Sequence, residues 1–472
     1  MSIKVNQWVY LDNSTWGRMY AADRDKKGDD HIVETNPLGG SGDKYQWRIH
    51  QSGNDFFIEN KLYGFMYAAN DDKKDNDHLI ECDPAVKTLS QAVGRKDPKF
   101  VWDIRPEGAG HGIVNRRHGK MFAADADKID NDHHVEASPG RTDTGGKWSW
   151  AITDVWSPAS WMADSAAEIG DVQLKDLVIP GTHDSGSYAC SATSTLAPEQ
   201  DIPQWVNAVW LLPGIGGVLG AAGMVIIARW ARAQGHDIGT QLAAGIRYLD
   251  LRVVRDGSGY YTCHSLYSAN MTEVIDQIRQ FIEKNPKEIV ILDFNHLYNM
   301  VSPEQHAPLI DAMIAAFGSK MAPSTMSATN LVSDFWRADY QIIALYDNAD
   351  CVKRHFPKLW PQSKISSPWP ETASLSELKT ALEANLSSRP NDKFFVLQGI
   401  LTPTGGMIAK GLVPLTNDPS SLENLAPAVT PQVTRWLQEW AKRNMNIVIV
   451  DWFNVSNYVS TIRQINVQKG KP

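Results

Sequence analysis

Two histidines, several carboxylates and an arginine stand at the ends of short apolar runs in this chain. Together they can supply a base, an acid and a cation for chemistry on a phosphodiester. In Leu177-Val-Ile-Pro-Gly-Thr-His-Asp-Ser185, residues 177–179 predict a buried strand. Pro180-Gly181 predicts a turn, after which His183 and Asp184 stand side by side. In Gly245-Ile-Arg-Tyr-Leu-Asp-Leu-Arg252, Asp250 and Arg252 are two apart and share one face of a strand. Tyr260-Tyr-Thr-Cys-His264 closes an aromatic run on a histidine. Histidine titrates near neutrality, so one ring can accept a proton while the other donates one. A guanidinium matches the geometry of a phosphate that gains charge. The bland alternative, buried polar pairs that brace loops, has to explain all the segments at once.

These residues need a scaffold that brings strand ends together. Apolar runs at 177–179, 246–251, 260–263, 289–294, 341–345, 394–397 and 446–450 predict strands. Between them, amphipathic stretches at 272–284, 374–386 and 430–443 predict helices, the first stopped by Asn285-Pro286. Alternation over the C-terminal two-thirds predicts an α/β barrel, in which chemistry sits at the C-terminal strand ends. His183, Asp250, Arg252, His264, Asp293, Asp347 and Asp451 all fall there.

On these stretches, with the acid-ended strand Asn446-Ile-Val-Ile-Val-Asp451, the second part of the chain resembles the X-domain of phosphatidylinositol-specific phospholipase C, on the bacterial pattern. The resemblance implies an irregular TIM-type barrel and cleavage of the glycerol-side phosphodiester by the inositol 2-hydroxyl, giving diacylglycerol and inositol 1,2-cyclic phosphate. It implies that His183 is the general base, held by Asp451. His264 would be the general acid, paired with Asp184, and Arg252 would neutralise the phosphate beside Asp250. By position, Asn295, Tyr346 and Gln398 would contact the headgroup. The family's usual lysine and aspartate are replaced here by Asn295 and Gly399, so plain and glycosylated inositol lipids both stay open. Calcium-dependent relatives carry an acidic ligand where Arg252 stands, so the expectation is metal-independent chemistry with no cofactor. Two rivals remain: a glycan- or lipid-binding protein with weak catalysis, and a phosphodiesterase of another class, such as a glycerophosphodiesterase with acidic metal ligands.

The N-terminal third is a triplication. Arg18-Met-Tyr-Ala-Ala-Asp23, Phe65-Met-Tyr-Ala-Ala-Asn70 and Lys120-Met-Phe-Ala-Ala-Asp125 are followed by Asp30-His-Ile-Val-Glu34, Asp77-His-Leu-Ile-Glu81 and Asp132-His-His-Val-Glu136. Each copy closes on a tryptophan strand at Trp47, Trp102 or Trp150. Three such all-β units can close round a pseudo-threefold axis, and the pattern resembles a β-trefoil of the ricin-B-lectin or fascin-like kind. The acidic turns read as solvated hairpins more readily than as calcium or sugar sites. His31, His78 and His133 read as hairpin hydrogen-bonding residues. The expected organisation is a trefoil over 1–154, a linker at 155–165 and a catalytic barrel over 166–472.

The 472 residues carry a net charge of −8, which argues against nucleic acid as a main partner. The expected partners are a membrane phospholipid and a carbohydrate for the trefoil. An apolar insertion at 205–232 contains a run at 209–228 without a charge and ends in Arg229-Trp-Ala-Arg232. Pro213 and five glycines weaken it as one helix. A rim loop dipping into lipid, with Trp205, Trp210 and Trp230 at the interface, is the favoured reading. Buried short helices, a dimer contact and a true span are the alternatives. Four scattered cysteines form no metal pattern and read as mostly free. No signal pattern opens the chain. The expected setting is a membrane surface outside the cell, reached by non-standard export or after loss of a leader.

Overall fold

The computed structural model describes residues 3, 5–40, 42–72, 76–108, 110–129, 132–198, 221–257, 259–411 and 418–470. It divides into two compact units, one of Met1–Pro158 with Asn454–Thr461, the other of Ala159–Phe453 with Ile462–Pro472.

The first unit takes four strands from each repeat. The first gives β1 (Trp8–Asn13), β2 (Gly17–Lys27), β3 (Asp30–Asn36) and β4 (Trp47–Ser52). The second gives β5 (Asp55–Asn60), β6 (Gly64–Asp72), β7 (His78–Asp83) and β8 (Trp102–Glu107). The third gives β9 (Gly110–Asn115), β10 (Gly119–Ile129), β11 (Asp132–Ser138) and β12 (Trp150–Asp154). The same bonds recur in each copy. Nε1 of Trp47, Trp102 and Trp150 donates to the carbonyl of Met19, Met66 and Met121 respectively. Nδ1 of His31, His78 and His133 lies against the carbonyl of Ala22, Ala69 and Ala124. Strands β3, β7 and β11 pair with one another in a triangle. The three tryptophans, fully buried with their indole N–H groups satisfied, form one core with Val9, Leu11, Ile58 and Ile113.

The second unit is built on a parallel sheet. Its strands are β13 (Ile179–Thr182), β14 (Tyr248–Asp256), β15 (Gly259–His264), β16 (Leu266–Asn270), β17 (Val290–Tyr298), β18 (Ile342–Tyr346), β19 (Trp360–Pro361), β20 (Ile365–Ser366), β21 (Phe394–Gln398) and β22 (Ile447–Val450). The order is β19-β18-β17-β14-β13-β22-β21-β20, with β15 and β16 added antiparallel beyond β14. The two edge strands are separated only by the turn Gln362–Lys364, so the sheet curves back on itself as an open half-barrel. Near-continuous burial of Val290–Phe294 and Ile342–Tyr346 is what a parallel sheet covered on both faces requires. Helix Met271–Lys284 covers it with Val274, Ile275, Ile278, Phe281 and Ile282, and Asn270 caps its start.

Two local expectations are corrected. Pro180-Gly181 is not a turn: both residues lie inside β13, paired with Val448 and Ile449 of β22. Pro180 donates no ladder bond but its carbonyl accepts from Arg247 N, and Gly181 is required because a Cβ would stand 2.8 Å from the Tyr248 ring. The helix expected at 430–443 is Leu422–Glu439, started by Ser421, whose side chain accepts from Asn424 N. Pro431 suggests a helix start, but the helix carries both Pro427 and Pro431 in its interior.

Candidate active site

Three strand ends and the interior of a fourth strand converge. His183 and Asp184 follow β13, Asp250 and Arg252 lie on β14, His264 ends β15 and Asp451 follows β22. All six are at least nine-tenths buried. His183 Nδ1 is 2.8 Å from Asp451 Oδ1, which orients the ring and leaves Nε2 facing the other groups. That nitrogen lies 3.0 Å from Asp184 Oδ2 and 3.4 Å from Nη2 of Arg252. His264 Nε2 is 3.3 Å from the same Asp184 oxygen, and Arg252 Nε is 2.8 Å from Asp184 Oδ1. Asp184 is therefore shared by both histidines and the arginine, beyond the single pairing with His264 expected from sequence. Asp250 does not pair with its neighbour Arg252. Its oxygens accept from Asp184 N (2.9 Å) and Asn295 Nδ2 (2.6 Å), so it braces the loop that carries the two site residues.

The second nitrogen of His264 fixes its tautomer. Nδ1 is 2.7 Å from the Ala231 carbonyl, an acceptor only, so it carries hydrogen and any proton handed on leaves from Nε2. His183 is different. Burial opposes its cation, but Asp184 and Asp451 together overcome this and push it up to about 10. For Asp184 burial works in the opposite sense, yet Arg252, His264 and His183 hold its carboxyl well below the usual range. The resting site is thus an ionised cluster. Nε2 of His183 faces an acceptor, Asp184, when protonated and a donor, Arg252, when neutral.

Beside Arg252 opens a cavity of about 220 Å³, lined among others by Tyr248, Asp250, Asp293, Asn295, Gln362 and Gln398. Asn295 and Gln398, expected at the headgroup, both line it. Tyr346 does not. Its side chain lies in the core and its hydroxyl is 2.8 Å from Nδ1 of His306, because Tyr346 faces the helix Pro303–Phe317 from β18. Asp293 forms part of the wall. Burial pushes it up to about 6 against the bonds donated by Tyr248 (2.5 Å) and Gln362 (2.6 Å). Trp369 stands at the rim, its ring edge-on to His183 at 6.2 Å and 6.0 Å from the Arg252 guanidinium carbon. Gln362 and Trp369 gave no signal in the sequence, since they lie on irregular chain beside two-residue strands.

Trp205 and Trp210 lie outside the described residues. Trp230 contradicts the expected lipid contact: it is 1% exposed, on the helix Ala221–Ala231. This end of the helix packs inward because the residues after it bind the site. Among the described residues no helix is long and apolar enough to cross a membrane.

Nitrogens of His183 and His264 and a carboxylate oxygen of Asp184 lie within 4.8 Å of one another, a set that could ligate a metal. The Arg252 guanidinium is already seated on that carboxylate and supplies the positive charge a metal would bring.

Such a site, at the strand ends of a curved parallel sheet, has the groups for acid–base cleavage of a phosphodiester. Residues 227–341 match the family described as "Phosphatidylinositol-specific phospholipase C, X domain". Across 316 residues the chain is 31% identical to PI-PLC X domain-containing protein 3 of Mus musculus, which covers 65% of this chain and 93% of the relative. It is 33% identical over 316 residues to PI-PLC X domain-containing protein 2 of the same organism, covering 65% and 87%. The chain belongs to the family of PI-PLC X-domain proteins. A solved phosphatidylinositol-specific phospholipase C from Listeria monocytogenes aligns over 66% of this chain and 99% of that one, with 21% identity and a TM-score of 0.43.

Proposed function

We propose that this protein is a phosphatidylinositol phosphodiesterase of the phospholipase C type. The observation that carries the reading is the placement of both histidines and Arg252 on Asp184, with Asp451 orienting His183. In the reaction the headgroup 2-hydroxyl gives its proton to Nε2 of the neutral form of His183, the form in which that nitrogen faces Arg252, as its oxygen bonds to phosphorus. The glycerol oxygen leaves with the proton from His264 Nε2. Diacylglycerol and inositol 1,2-cyclic phosphate are the products, and no water is consumed. Arg252 carries the charge that builds on the phosphoryl oxygens. The cavity beside it would hold the ring. Its hydrogen-bonding wall suits a polyol, with Asn295 and Gln398 as contacts.

In this reading residues 1–154 are a β-trefoil that binds a carbohydrate and positions the enzyme, residues 155–165 are a linker and residues 166–472 are the catalytic barrel. The recurring tryptophan and histidine bonds and the triangle of β3, β7 and β11 support the trefoil.

The test is incubation of the full chain with phosphatidylinositol vesicles in excess EDTA, read as inositol cyclic phosphate, beside His183→Ala. Product from the unaltered protein alone is the expected result. Folded protein that makes no product, with EDTA or with calcium, would overturn the assignment.

A further inference from the structure

We propose that Asp25, Glu34 and His134 form a binding site for one divalent cation of the zinc type in the first unit, independent of the phosphodiester chemistry. The triplicated strands supply an internal comparison. At the three equivalent cross-strand positions a buried glutamate faces a residue of the next repeat. Glu81 faces Ile32, Glu136 faces Leu79 and Glu34 faces His134. Ile32 and Leu79 are buried aliphatic side chains, so the fold asks only for an apolar filler there. In the third case an imidazole stands instead, and it meets two carboxylates.

The distances suit a metal. His134 Nε2 is 3.0 Å from Asp25 Oδ2 and 3.7 Å from Glu34 Oε1, and one ligand atom from each residue lies within 4.8 Å of the others. Tetrahedral zinc with bonds near ~2.1 Å sets its ligands roughly 3.4 Å apart. The charge around the site is also unbalanced. Tyr20 contacts Glu34 and, at 2.7 Å, Asp132 Oδ2, as Tyr67 contacts Glu81 and Asp30 in the second repeat, so in each place two carboxylates share one phenolic proton and the difference lies in what else surrounds them. Burial raises the Glu34 carboxyl, with Asp132 and Asp25 adding to the effect, and among the described residues its one ion-pair contact is His134. The counterpart Glu81 has Lys27 and Lys99 nearby to offset it. Asp25 is partly exposed, which leaves an entry path and room for a water as fourth ligand. One nitrogen with carboxylates favours zinc over calcium, which takes oxygen ligands. On binding, the metal takes the Nε2 lone pair and a proton from the cluster is released to solvent.

Zinc chloride is titrated calorimetrically into the full chain and into His134→Leu, which places there the residue the second repeat already tolerates. Asp25→Asn, on a partly exposed hairpin position, is a second variant that leaves the core intact. Because His183, Asp184 and His264 also gather donor atoms, the difference between proteins is what is read. The unaltered chain is expected to bind one equivalent more than His134→Leu, and Asp25→Asn to weaken that site by about tenfold or more. Zinc should also raise the melting temperature of the unaltered chain above any rise in His134→Leu. Equal stoichiometry and affinity in all three proteins would overturn the proposal.

Discussion

Asp184 adopts φ 39°, Ser265 φ 57° and Trp452 φ 43°, so a left-handed residue directly follows each of His183, His264 and Asp451. A tryptophan in that region is an outlier that only its surroundings can hold, and such backbone strain costs about 1–3 kcal/mol per residue. Here it aims side chains that a relaxed strand end would send elsewhere. The charges then tune His183. Asp451→Asn removes one of the two carboxylates that raise its pKa, so the ring should lose its proton at lower pH. If His183 is the base, kcat/KM of the unaltered protein should rise with pH on a limb near pH 10, and that limb should move down toward the ordinary histidine range in the variant. A pH–rate profile on phosphatidylinositol checks this. An unmoved limb would show that His183 is not the group being titrated.

At the level of elements, the short stretch after the apolar helix does much of the positioning. Ala231 offers its carbonyl to His264, Trp452 Nε1 donates to Arg232 O, and Ala233 N donates to Ser187 Oγ. Gln234, wholly buried, donates from Nε2 to His183 O (3.1 Å) and Val450 O (2.9 Å), tying the ends of β13 and β22 together. Gln234→Leu leaves both carbonyls unpaired by the side chain, a loss of about 1–3 kcal/mol in stability. If the tie also sets the His183–Asp451 geometry, kcat should fall about 10- to 100-fold with KM little changed. Steady-state kinetics at a temperature where the variant is folded separates the two effects. A Tm drop with unchanged kcat would make Gln234 a structural residue only. Nothing in the sequence marks Gln234, because a buried glutamine bonded to two main-chain carbonyls has no spacing signature.

For the molecule as a whole, two buried histidines act on stability with opposite sign. His183 is raised, so its contribution is complete below its unfolded value of about 6.5 and is lost as pH climbs through about 10. His111 is lowered, chiefly by burial and with the Trp150 backbone opposing. It is therefore held neutral, and it begins to destabilise the fold as pH falls below about 6.5. Strand pairing sets His111 opposite Trp150 just as Phe56 is set opposite Trp102, so an aromatic hydrocarbon already fills the equivalent place in the second repeat. His111→Phe is expected to melt at progressively higher temperature than the unaltered chain as pH is lowered from about 7 to about 5, with little difference at alkaline pH. Scanning calorimetry across that range is the measurement. A constant gap would mean that His111 does not titrate in that window.

Periodicity and repetition determined most of the architecture. The seven predicted strands of the second unit are all present within a few residues, six of them parallel strands whose cover on both faces requires an apolar run. The triplicated motifs fold alike because identical tryptophans and histidines find identical carbonyls. His183, Asp184, Asp250, Arg252, His264 and Asp451 were legible because strand-end polar residues are rare in such runs. Only the tertiary structure could decide what side chains far apart in sequence do to one another. Asp184 serves three partners, Asp250 braces a loop, Tyr346 turns to His306, and Trp230 is buried. Sequence spacing reports which face of an element a residue occupies. Which neighbour it meets depends on sheet register and on the loops that cross the strand ends, and these are set when the whole chain packs.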